Sequence, residues 1–422
     1  MVSPLREVRR GLGLLALGLG SCRAPLATEP LRAAPPGTPP EDAGIAIRCG
    51  KLLTLDPEAR IFDPGMLLLR DGKIAYVGKP IEVPGGYRIV DRPESWAWPG
   101  LVDLHSHVQS AGWWDTNDMV KPLNPEFRVR AALDPGEERL RVADAAGVTT
   151  LFGIPGSGTS ISGFGVLYKT KRDAPYERMI LRDPGGMKVA FNYNPQRGGG
   201  DLGSTWCGLS WNLENLNDRA ANLARREGPA DPALENLERV HRKELPVLIH
   251  CASAEGVAGS VRMWKDRYDT VCVVSHGDWD GHFAARFMAE RGVPLNHGPR
   301  LMNFTTLRRE EKILGTSKAF VDEGVPNFSL NTDAPVIPEE EFFLQGSMSA
   351  RLGADPYQML QALTIHPADS FMIGERVGSL EVGKDADVVL SSGDPLDPRS
   401  RVELVFIDGE IQYSRCDDGQ VF

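Results

Sequence analysis

Cysteine is sparse and scattered: Cys22, Cys49, Cys207, Cys251, Cys272 and Cys416 include no C-x-x-C pair. That spacing suggests neither a zinc knuckle nor a disulfide framework, leaving open one structural bridge in an oxidising compartment. Cys251 and Cys272 lie in apolar, strand-like stretches and read as small core residues. Long hydrophobic runs are lacking too, since the apolar run from Gly11 to Gly20 is too short to span a bilayer as a helix. No long basic run occurs, and 57 acidic against 47 basic residues give a formal charge of −10. Nucleic acid is therefore not expected as a partner.

What remains is the composition of a soluble enzyme, with 41% hydrophobic and 25% charged residues. The 422 residues suffice for one large barrel and a smaller domain, because single cores stop growing near about 250–300 residues. Arg6, Arg9 and Arg10 precede the short apolar run, so residues 1–21 read as a signal peptide. The run ends in Leu19-Gly20-Ser21-Cys22, which resembles a bacterial lipobox; the competing reading is a plain secretory signal. On the first reading Cys22 carries lipid, and that anchor alone ties the protein to the membrane of the cell envelope. Residues 22–44, rich in Pro and Ala, form an extended tether.

From Ile45 short strands alternate with turns, including an Asp71-Gly72 hairpin signal, and the pattern returns near the other end with Asp408-Gly409. Segments 45–98 and 378–422 are thus expected to build one small β-sandwich domain. Between them, residues 99–377 alternate eight strand candidates with helical stretches: Leu101–His105, Val148–Phe152, Gly165–Tyr168, Met187–Phe191, Val247–His250, Val271–His276, Val293–Asn296 and Phe328–Asn331. The helical stretches include Leu213–Arg226 and Thr305–Glu323. This order predicts a TIM-type (β/α)8 barrel of parallel strands. The segment from Asp201 to Trp211 reads as a loop, either a lid or packed on the barrel.

Pro99-Gly100 opens the barrel, and the strand behind it ends in His105-Ser106-His107. Residues two apart on a strand point the same way, so both imidazoles face one side. His250, His276 and Asp333 likewise stand where strands end. Four histidines and an aspartate at the C-terminal face of one barrel converge on its axis, and they suit zinc or another divalent ion.

These stretches, with Gly147-Val148-Thr149-Thr150, Asn331-Thr332-Asp333 and Gly378–Asp387, resemble the amidohydrolase superfamily, and within it the imidazolonepropionase-like and prolidase-like branch. The resemblance runs from Ile45 to Tyr413. It implies that His105, His107, His250 and Asp333 hold a metal and that His276 binds a second metal or assists as an electrophile. It implies one or two ions, with Lys188 the candidate for a carboxylated bridge, although Lys188 sits early in its expected strand. Where relatives have asparagine, this chain has His366, read as a residue at a helix start and not a ligand. The implied reaction is hydrolysis of a C–N bond in a small-molecule substrate by metal-activated water, with Asp333 moving the proton. Arg300, after the seventh strand, is the candidate for a substrate carboxylate. Deaminase or esterase activity, an inactive tethered binding protein and a homo-oligomer stay open.

Overall fold

The computed structural model describes residues 44–109, 117–171, 174–196, 203–226, 231–301, 313–419 and 421. The expected signal peptide, Cys22 and the tether as far as residue 43 lie outside the described residues. Cys49, Cys207, Cys251, Cys272 and Cys416 are unpaired.

One eight-stranded sheet draws on both ends of the chain. Gly44–Leu53, Ile61–Phe62, Gly65–Arg70, Lys73–Gly78 and Tyr87–Pro99 come from the N-terminal side; Val388–Ser391, Val402–Ile407 and Glu410–Ser414 come from the other. Tyr87–Pro99 joins the halves, parallel to Gly44–Leu53 and antiparallel to Val388–Ser391. Both Asp-Gly turns have positive φ at both residues, the backbone a two-residue hairpin requires. Ile47, Leu67, Ala97, Val388, Leu404 and Phe406 pack in a core belonging to this domain.

The second sheet is the barrel. Leu101–Ser106, Val148–Gly153, Ile161–Lys169, Ile180–Ala190, Val247–Cys251, Cys272–His276, Leu295–His297 and Ser329–Leu330 pair in sequence order. A bridge from Ser106 to Ala334 brings the chain after the last strand back to the first. The architecture is therefore a TIM-type barrel plus a small composite β-domain, with all eight expected strands present. Two of them depart from expectation. The third strand runs antiparallel to both neighbours. The seven residues from Ile154 to Ser160 are too few for a parallel crossover, which takes a dozen or more. The fourth strand starts at Ile180, earlier than the expected Met187, so Lys188 stands near its end and not its beginning.

The expected loop Asp201–Trp211 is also corrected, since from Trp206 onward it is the start of the helix Trp206–Ala224. Thr205 caps it by accepting the Gly208 N–H, and Leu209, Leu213, Leu216 and Ala220 form its buried stripe. The expected helix Thr305–Glu323 is described only as Thr316–Asp322, and residues 302–312 lie outside the described residues.

Two glycines permit close packing at the base of the barrel, the first within it and the second against the β-domain. A Cβ on Gly100 would come within 2.0 Å of Thr149 Oγ1. At Gly147, where φ is +84°, a Cβ would crowd Trp98 and Val389 at 3.2 Å. An ionic latch adds to this contact. Lys169, at the end of the third strand and 2% exposed, donates to Asp385 at 2.8 Å, to Asp387 at 3.1 Å and to Asp408. Arg376 also reaches Asp385, at 2.7 Å. Burial alone would lower the Lys169 pKa, but the carboxylates, Asp387 foremost, hold it above the ordinary value. Removing one member of a buried ion group strands the others, at a cost of about 3–5 kcal/mol. Lys169→Met is therefore expected to lose about that much unfolding free energy in urea titrations, while a loss below about 1 kcal/mol would mean that the carboxylates are otherwise satisfied.

Candidate metal centre

Strand register stacks the barrel interior in layers. Lys188, Leu248 and Val273 are cross-strand partners, and in the next layer Ala190, His250, Ser275, Asn296 and Ser329 succeed one another. His276 comes directly after Ser275, so strict alternation would turn its ring outward. Its left-handed backbone, φ +79°, instead accompanies a ring packed 4.4 Å from those of His105 and His250. On the first strand the register slips by one residue between Asp103 and Ser106, a bulge beside the two histidines.

Backbone acceptors settle the imidazole tautomers. His107 Nδ1 lies 2.9 Å from the Ile154 carbonyl and His276 Nδ1 2.6 Å from the Gly298 carbonyl. A carbonyl only accepts, so each Nδ1 carries the proton and each Nε2 offers a lone pair. His105 Nδ1 meets Ser275 Oγ at 2.7 Å, and its Nε2 faces Lys188 Nζ at 2.8 Å. Asp333 Oδ1 stands 3.3 Å from Nε2 of both His105 and His107.

Two overlapping triads result, His105–His250–His276 and His105–His107–Asp333, with ligand atoms within 4.8 Å of one another. His250 Nδ1 and His276 Nε2 are buried without a hydrogen-bond partner among the described residues. Buried imidazole nitrogens gathered without partners are where a cation would be held. A ring proton is disfavoured there, because burial, helped by Lys188, holds the His105 pKa well below the ordinary value, and burial with His276 does the same at His250. Burial also pulls Lys188 down to about 7, against the pull of Asp333. Burial works to raise the Asp333 carboxyl, yet the His107 and His276 rings hold it below its ordinary value. Imidazole nitrogens with one carboxylate are the donor set of a zinc-type ion, so the residues present fit the group.

The structure thus brings together His105, His107, His250, His276, Asp333 and Lys188. Arg300 lies beyond the seventh strand, lining a cavity of about 290 Å³ with Pro299, Leu301, Glu341, Leu344, Gln345 and Met348. His366 begins a helix as expected, in Ile365–Ser370, with Nδ1 2.9 Å from the Phe328 carbonyl.

An eight-stranded barrel carrying a histidine–aspartate cluster where its strands end is the amidohydrolase fold. The amidohydrolase family model matches residues 222–413. An amidohydrolase from Thermotoga maritima superposes with a TM-score of 0.79 at 31% identity, covering 88% of this chain and 100% of that one. The chain belongs to the amidohydrolase family. Amidohydrolase tasK of Hapsidospora irregularis is 26% identical over 90% of this chain, which spans 42% of that protein's length. The imidazolonepropionase of Thermoplasma acidophilum is 23% identical over 86% of this chain and 92% of its own.

One residue that sequence reasoning missed supports the cluster from behind. Asp103 is fully buried and accepts from His105 N at 2.8 Å, Thr332 N at 3.0 Å and Thr332 Oγ1 at 2.6 Å. Burial pushes its pKa up to about 7, and the three donors pull the other way. Its signal was a lone acid in the apolar strand Leu101–Leu104. Asp103→Asn must turn its amide N–H toward at least one of those donors. We expect it to lose about 1–3 kcal/mol of unfolding free energy and to bind zinc more weakly by competition with a chelator. Unchanged zinc affinity would detach Asp103 from the cluster.

Proposed function

We propose that the chain is a metal-dependent amidohydrolase, of the imidazolonepropionase-like and prolidase-like branch, that hydrolyses a non-peptide or dipeptide-like C–N bond in a small molecule. The observation that carries this reading is the pair of triads sharing His105, whose ligand atoms lie within 4.8 Å of one another and include unpartnered imidazole nitrogens. His105, His107 and Asp333 would hold one divalent ion and His250 with His276 a second. Lys188, whose Nζ is 2.8 Å from the shared His105, would serve both as a carboxylated lysine. Zinc suits these donors.

A bound divalent ion supplies Lewis acidity, lowering the pKa of water from 15.7 towards about 7 and polarising the substrate carbonyl. The protein's own groups then divide the work. Asp333 takes the proton of the attacking water on its carboxylate and delivers it to the leaving nitrogen. The carbonyls of Ile154 and Gly298 keep His107 and His276 in the Nδ1–H tautomer throughout. Arg300, lining its own cavity, would pair with a substrate carboxylate. The leader and Cys22 support a lipid-anchored place in the bacterial cell envelope, to be tested by fatty-acid labelling that Cys22→Ala should abolish.

Two variants separate holding the ion from moving the proton. The double variant His105→Ala, His107→Ala is expected to lose zinc and hydrolysis together by elemental analysis and assay, and full zinc content would overturn the ligand assignment. Asp333→Asn is expected to keep much of its zinc while kcat falls about 10²- to 10⁴-fold. Turnover within a few-fold of the parent would remove Asp333 from the proton path.

A further inference from the structure

A cavity of about 410 Å³ opens where the barrel meets the β-domain. It lies at the start of the barrel strands, beside Trp98 just ahead of the first strand and Ala146 just ahead of the second. The histidine cluster begins four residues along the first strand, so about 13 Å of strand separates the two. The size falls within the roughly 300–1,000 Å³ of small-molecule sites, which favour domain interfaces.

The cavity has an apolar floor and a cationic rim. Trp98, Ala146, Phe343 and Pro398 supply the first, Arg399, Arg401 and Arg415 the second, and among the described residues no acidic one lines it. The floor is fixed: Trp98 Nε1 donates to Ser391 Oγ at 3.0 Å, and Ser391 Oγ donates to the Gly393 carbonyl at 2.7 Å. The wall formed by residues 392–401 is fixed as well. Ser347 Oγ donates to the Leu396 carbonyl at 2.6 Å, tying this segment to a barrel helix. Arg401 N donates to Ser392 Oγ at 3.0 Å, closing its base. Asp397 commits its carboxylate to Arg399, at 2.6 Å. Among the described residues nothing pairs with the exposed guanidinium of Arg401, an unneutralised cation on a chain of formal charge −10.

We propose that this cavity binds a small organic carboxylate with an apolar body, its ring or branched chain against Trp98 and Phe343 and its carboxylate on Arg401. A preformed apolar slot loses little ordering entropy on binding, and a guanidinium at its mouth meets a carboxylate in bidentate geometry.

The test uses the full-length, zinc-loaded protein and calorimetry with naphthalene-2-carboxylate and its neutral carboxamide. We expect one carboxylate per chain and markedly weaker carboxamide binding. Arg401→Gln should weaken the carboxylate by about tenfold or more. Ser400→Trp, which fills the cavity from its outer wall, should abolish binding. Both variants should keep the parent's melting temperature and zinc content, whereas Arg300→Ala should leave carboxylate affinity unchanged. Absence of binding, equal binding of the carboxamide, or affinity unmoved by Arg401→Gln and Ser400→Trp would overturn the proposal. If Arg300→Ala alone abolished binding, the carboxylate would be at the metal centre and the proposal would also fail.

Discussion

Barrel closure turns on the Asp103 carboxylate. The last strand, Ser329–Leu330, is only two residues long, so its ladder alone does little to place the residues beyond it. Asp103 ties Thr332 to the first strand, and His107 N donates to the Ala334 carbonyl at 2.9 Å. Asp333 is thereby bracketed on both sides by residues held to the strand that carries His105 and His107. Its backbone is left-handed, φ +50°, a conformation costing about 1–3 kcal/mol outside glycine. Hydrogen bonds to a buried carboxylate contribute about 1.5–3 kcal/mol each, so the bracket outweighs the strain. The same contacts that close the barrel thus set the distance from Asp333 to its imidazoles.

A second constraint acts on the rings. In a dry interior a lone pair left facing another is costly, and the Ile154 and Gly298 carbonyls enforce that arrangement by claiming the Nδ1 protons. The hydrogen bonds behind the rings orient the ligand atoms, and His250 Nδ1 and His276 Nε2 are without a partner among the described residues. Such preorganisation moves the cost of desolvating the imidazoles from binding to folding.

Much of this was legible in the sequence because apolar runs of strand length mark barrel strands, and those at Leu101, Val247, Val271 and Phe328 lead into histidine or aspartate. His105, His107, His250 and Asp333 could be placed by that rule. The antiparallel third strand could not, because strand direction is set by the connection Ile154–Ser160, whose length excludes a crossover, and not by strand composition. The start of Trp206–Ala224 was hidden because Gly and Ser around Thr205 look like a loop until the cap is recognised. His276 was placed at its strand end by the same pattern, but the left-handed φ that accompanies its inward ring is not announced by composition. Asp103 was visible but uninterpreted, its meaning residing in Thr332, far along the chain.

The composite sheet has a consequence for how the chain is made. Tyr87–Pro99 has Gly44–Leu53 on one side from the outset, but its other neighbour, Val388–Ser391, emerges from the ribosome only after the whole barrel. At roughly 5–20 residues per second that edge stays open for about tens of seconds. An unpaired strand edge templates association with other chains. Charge guards its outer stretch, where Arg88, Asp91, Arg92 and Glu94 lie within seven residues. The late strands then act as a zip fastener, and nascent chains arrested short of residue 388 would be the species most prone to stick to one another.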